Sequence, residues 1–169
     1  MWIDRLSKAS GALAAALIVP AIAISTYEVI ARYGFSQPTN WVHPLTTSLC
    51  ALTFVLAGPY VLQRQEFIRV TFVYDRFGPK IRRVIDLFSA TLLILWGLVL
   101  TYAAWLQAAA SIFRFRGGRW RPETLGSAWD VPLPALVRGV LFLACALLLL
   151  QAVVNFVRAA RRLEAVHGD

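Results

Sequence analysis

Four long stretches of this chain carry few or no charges: Ala9–Tyr33, Leu45–Gln63, Leu87–Ala110 and Gly139–Val157. A helix needs about 20 apolar residues to cross the hydrocarbon core of a bilayer, and each stretch meets or nearly meets that length. A helix of a water-soluble bundle keeps one polar face, whereas these stretches are apolar all round. Hydrophobic residues make up 59% of the chain and charged residues 15%, against roughly 45–50% and about 25% in soluble domains. The chain therefore reads as an all-α integral membrane protein. It is expected to form a single domain over 1–169, with four transmembrane helices at approximately 9–33, 45–63, 87–110 and 133–157.

The basic residues flank the apolar runs, so the net charge of +8 reads as membrane topology and not as nucleic-acid binding. Cytoplasmic connections carry the excess of Lys and Arg. Arg5 and Lys8 precede the first run; Arg64, Arg69, Arg76, Lys80, Arg82 and Arg83 fill the second connection; Arg158, Arg161 and Arg162 follow the last run. Both termini and the second connection are thus expected in the cytoplasm. Arg5 and Lys8 followed by an apolar stretch and Ala21–Ala23 imitate a cleavable signal peptide. The stretch continues past that point, however, and reads as the first span. Within the second connection Phe67, Ile68, Val70, Phe72, Val73 and Phe77 alternate with Arg69, Asp75, Arg76 and Lys80. That mixture suits a segment lying in the bilayer interface between helices 2 and 3, and the same face suits contact with a partner protein.

Catalytic and cofactor chemistry finds little support. His43 and His167 both lie outside the spans, whereas a haem held within a helical bundle needs histidines facing each other inside it. The polar groups in the spans, Thr53, Thr101, Gln107, Gln151 and Asn155, read as helix–helix hydrogen-bonding residues. Cys50 and Cys145 read as small buried hydrophobes. Pro20 and the Gly58-Pro59 pair read as packing kinks, tolerated where neighbouring helices satisfy the freed carbonyls.

The charges at the span ends are more informative. Glu28 and Arg32 stand four residues apart, on one helix face and in the orientation that pairs best. Two readings stay open: a self-contained pair at the membrane edge, or one member reaching a partner subunit. Arg138 sits early in the fourth helix with Asp130 as the one obvious local acid. It either snorkels to the interface or meets a group on another protein. Trp41, Trp120 and Trp129 form an aromatic belt on the outer side.

Three segments, "EVIARYGFSQPTNW" at Glu28–Trp41, "IRVTFVYDRFGPKIRRVIDLF" at Ile68–Phe88 and "ETLGSAWDVPLPALVRGVLFLACALLLLQ" at Glu123–Gln151, occur in order across nearly the whole chain. Together they resemble the small membrane subunit of tripartite ATP-independent periplasmic (TRAP) transporters of bacteria. The resemblance implies a multi-pass protein of the inner membrane that is not an enzyme and packs against a much larger membrane subunit. That subunit would carry the substrate and sodium sites, leaving no cofactor in this chain, while a periplasmic binding protein delivers an organic acid. Glu28, Arg32, Tyr33, Trp41, Arg69 and Trp129 match the family pattern. With Arg138 they are the structural or subunit-interface candidates. The pattern breaks at His43-Pro44, where an acid is common, at Thr71, where an aspartate is common, and at Gln65-Glu66-Phe67. The basic third connection, with Arg114, Arg116, Arg119 and Arg121, then faces the periplasm. There it either steers an acidic binding protein onto the complex or meets headgroups and solvent. A four-helix membrane anchor for a redox or signalling protein is the alternative reading of the whole.

Overall fold

The computed structural model describes residues 2–64, 78–116, 119–126 and 130–164. Four helices account for most of them: α1 (Trp2–Gly34), α2 (Val42–Arg64), α3 (Pro79–Ile112) and α4 (Leu133–Glu164). All four are long and apolar enough to cross a membrane. With no water in the bilayer core, a spanning segment must satisfy its own backbone, as a helix does. At 33 residues, α1 is about 50 Å long by the helical rise. It therefore extends well past a hydrocarbon core of about 30 Å. Helices α1, α3 and α4 all continue beyond their apolar runs, because a helix does not stop where the hydrocarbon does.

Helix boundaries follow local chemistry. Pro79 occupies the start of α3 behind an extended Gly78, a position where its missing N–H costs nothing. At the other end of that helix the Phe113 N–H donates to the Ala109 carbonyl at 2.9 Å. Helix α1 ends where Ser36 adopts a left-handed φ of 55° and the Gln37 N–H returns to the Ala31 carbonyl at 3.0 Å. Between α3 and α4 lies an element that the all-α reading did not anticipate. It is a small antiparallel hairpin of β1 (Phe115–Arg116) and β2 (Arg119–Trp120), pairing Phe115 with Trp120 and Arg116 with Arg119.

The helices pack in the row α1–α2–α4–α3 rather than as a square. Helix α1 lies on α2, α2 on α4, and α3 chiefly on α4, while α1 also touches α4. The buried apolar residues are mostly alanines, including Ala14, Ala21, Ala104, Ala108, Ala144 and Ala152. Large side chains such as Ile22, Phe54, Phe88, Trp96 and Leu143 point outward. That distribution would be inverted in water. In a bilayer, lipid tails are as apolar as leucine, so association rests on small residues that let backbones approach. The buried positions of α1, Ser7, Ser10, Ala14, Ala21 and Ala31, are such a small-residue face.

Among the described glycines the tightest approach is at Gly11, where a Cβ would collide with the Tyr60 ring and stand 2.8 Å from the Tyr60 Cβ. These atoms sit near the backbone of α2 and cannot swing aside. At Gly97 of α3 a Cβ would meet Leu149 at 3.2 Å, a milder conflict with a flexible side-chain end. Gly11→Val is therefore expected to cost roughly 1–3 kcal/mol by overpacking and Gly97→Ala less. Thermal unfolding of the two variants in detergent checks this: equal midpoints would contradict the packing described.

Candidate functional site

Three polar constellations hold the bundle, one at the end carrying both termini and two at the opposite end. At the terminal end Gln151 of α4 is completely buried. Its Oε1 accepts from the Ser7 hydroxyl at 3.1 Å, and its Nε2 donates to Asp4 at 3.2 Å and to the Asn155 carbonyl oxygen at 3.3 Å. Asn155 Nδ2 in turn donates to the Leu62 carbonyl of α2 at 3.1 Å. Arg158, one turn further along α4, reaches the other oxygen of Asp4 at 2.6 Å. Three helices are thus tied by one network, and each member offsets the desolvation of the next. Gln151 and Asn155 act between helices, as their position in an apolar run predicts. The Asp4–Arg158 pair joins residues far apart in sequence, and no local spacing foretells it.

At the opposite end Glu28 and Arg32 form the expected ion pair at 2.6 Å. The Glu28 carboxylate also accepts from the Thr39 hydroxyl and from the Thr39 backbone N–H at 3.3 Å. It therefore pins the first connection onto the end of α1. The Glu28 side chain is 13% exposed and that of Arg32 51%, so the acid serves its own chain while the base stays open outward. Trp41 stacks at a tilt on Tyr27, with ring centroids 6.0 Å apart. Tyr33 is 81% exposed. Arg69 and Trp129, the broken-pattern position Thr71 and nearly all of the segment expected to lie in the interface fall outside the described residues.

The third constellation is the loop after α3. Trp120 Nε1 donates to the Ile112 carbonyl at 2.7 Å, satisfying one of the acceptors that a helix C-terminus leaves open. The Glu123 N–H donates to the Ser111 carbonyl at 2.9 Å and the Arg121 N–H to the Arg114 carbonyl at 3.0 Å. The Glu123 side chain meets Arg138 of α4 in an ion pair. Arg138 thus has its acid within the chain, and that acid is Glu123, not the sequence-adjacent Asp130. A carboxylate from the folded-back loop comes closer than one just ahead of the helix. Arg114, Arg119 and Arg121 are exposed and form no ion pair among the described residues. Arg116 pairs with Arg119 through the hairpin backbone. The hairpin is therefore an exposed basic lobe with Phe115 and Trp120 also facing out.

Two concavities lie among the described residues. An open apolar groove of about 430 Å³ runs between α1 and α2, lined by Ile18, Ile22, Thr46, Cys50, Thr53 and Phe54. The hydroxyls of Thr46 and Thr53 are buried there without a partner among the described residues. A polar cavity of about 350 Å³ lies at the terminal end, lined by Asp4, Arg5, Lys8, Gln63 and Arg158.

A protein-family model described as tripartite ATP-independent periplasmic transporters, DctQ component, matches residues 21–162. The match takes in all of α2, the hairpin and α3, and nearly all of α4. No curated protein matches the chain.

Removing the centre of the three-helix network should be felt more than removing its edge. Gln151→Leu leaves Ser7, Asp4 and Asn155 each short of a bond and is expected to lower stability by about 1–2 kcal/mol. Thr47→Val, which loses only a local bond to the His43 carbonyl, should cost about 0.5 kcal/mol or less. Denaturation of the two variants in mild detergent compares them, and the reverse order would contradict the network's role.

Proposed function

This chain belongs to the family of the DctQ component of tripartite ATP-independent periplasmic transporters, and from that premise we propose how it serves such a transporter. It is the small membrane subunit, a multi-pass protein of the inner membrane. In the proposed role it enlarges and steadies the scaffold on which a larger membrane subunit moves an organic acid, and it helps seat the periplasmic binding protein. Sodium coupling and the substrate site are assigned to the larger subunit. The excess of Lys and Arg at the end carrying the termini orients that end to the cytoplasm and the hairpin to the periplasm.

One observation carries the reading: the fully buried Gln151 ties α4 to α1 through Ser7 and, by way of Asn155, to α2. Ser7, Gln151 and Asn155 bond one another and the neighbouring helix. Secondary transporters instead present polar groups and broken helices near the membrane midplane to substrate. The long apolar faces favour a partner in the membrane. Helix α3 packs chiefly on α4 and exposes Phe88, Trp96, Tyr102 and Trp105. Arg32 and Tyr33, open outward beside the pinned first connection, are proposed contacts to that partner, whereas Glu28 and Arg138 are internal ties.

The exposed arginines of the hairpin supply long-range attraction for an acidic binding protein, an effect carried mainly in the association rate and weakened by salt. Reversing Arg114, Arg119 and Arg121 to glutamate in the reconstituted transporter should raise the half-saturating concentration of binding protein about tenfold or more at low ionic strength. The difference should shrink as salt is added. Uptake that depends on binding protein and salt as in the wild type would refute the docking role. Measurable substrate flux through this chain alone would refute the accessory role.

A further inference from the structure

We propose that the cavity at the terminal end is a binding site for the headgroup of an anionic phospholipid of the phosphoglycerol class. The cavity, about 350 Å³, is bounded by Arg5 and Lys8 of α1, Gln63 of α2 and Arg158 of α4, with Asp4 at its side. It is therefore an open concavity at the place where three helices meet. Arg5 and Lys8 stand three residues apart on one face of α1. Neither forms an ion pair among the described residues. The one acid on the wall is already engaged, its carboxylate bonded to Arg158 and to Gln151. Three cations against one committed acid leave the cavity positively charged, and that favours a net anionic headgroup over a zwitterion.

Two further features separate a lipid from any soluble anion. The cavity opens at the end of helices long and apolar enough to span a membrane, the depth at which a phosphate ester sits. Basic pockets between membrane helices on that side suit lipid phosphates. Trp2, the residue before this turn, is exposed, as interfacial tryptophans are. The Gln63 carboxamide oxygen has no hydrogen-bond partner among the described residues. Gln63 lines the cavity, and in the proposed complex its oxygen accepts from a headgroup hydroxyl. A phosphoglycerol headgroup brings both the anion for the cations and the hydroxyls for Gln63. The site does not depend on the transporter reading, since it uses only the spanning fold and these side chains.

The test is native mass spectrometry of the full chain released from detergent and titrated with dioleoyl phosphatidylglycerol, phosphatidylcholine or inorganic phosphate. The expected result is one retained phosphatidylglycerol per chain, bound in preference to phosphatidylcholine and not displaced by phosphate. Arg5→Gln with Lys8→Gln should weaken it roughly 10- to 30-fold, while Arg114→Gln with Arg119→Gln at the far end should leave it unchanged. Equal retention by the two double variants would mean unspecific lipid and overturn the site. Displacement by inorganic phosphate would overturn the lipid assignment in favour of a soluble anion. Should the first double variant fail to keep wild-type helicity, Gln63→Leu retains every cation. It is expected to lose several-fold preference for phosphatidylglycerol over phosphatidic acid, and an unchanged preference would overturn the headgroup assignment.

Discussion

Lipid does not push apolar helices together, and the architecture of this subunit follows from that constraint. In water the large hydrophobic side chains would drive assembly; in a bilayer they face a solvent of their own kind. Cohesion must come from close backbone approach and from polar groups that have nowhere else to bond. Gly11 against Tyr60 supplies the first, and the bonds of Gln151 to Ser7, Asp4 and Asn155 supply the second. Alanines fill the interior and bulky residues the periphery for the same reason.

The two ends of the bundle use polar chemistry differently. At the terminal end acid, amide and base are drawn inward to join three helices, leaving Arg5 and Lys8 at the rim. At the other end Glu28 and Glu123 are turned back onto their own chain. Glu28 holds Thr39, and Glu123 holds Arg138. Arg32, Tyr33, Arg114, Arg119 and Arg121 project there. Anchored loops with outward bases suit a docking platform, since the lobe is positioned by bonds that a partner need not supply. The exposed length of α3 is the face proposed to meet a partner within the membrane.

The number and kind of helices could be read from the sequence because apolar length is a local property. So could the Glu28–Arg32 pair, whose spacing lies within one helical turn, and the helix-linking character of Gln151 and Asn155. The bond between Asp4 and Arg158 was not legible, because it depends on the first and last helices returning to the same end in register. Arg138 shows the same limit from the other side. Asp130 is its nearer acid in sequence, yet the fold of the hairpin loop brings Glu123 to it. The hairpin itself was hidden by its brevity, two residues a strand, and the contact at Gly11 by the fact that a glycine in an apolar run names no neighbour. Membership in a transporter family came from ordered motifs, not from any catalytic pattern, as befits a subunit whose residues mainly hold one another.

The central claim is that this chain completes a larger membrane assembly and does not act by itself. Gentle extraction of the tagged chain from its native membrane, followed by mass spectrometry of what accompanies it, tests that most directly. The account predicts a large polytopic membrane subunit in stoichiometric amount. Recovery with a haem- or flavin-bearing enzyme, or of the chain alone from membranes that contain such a subunit, would contradict it.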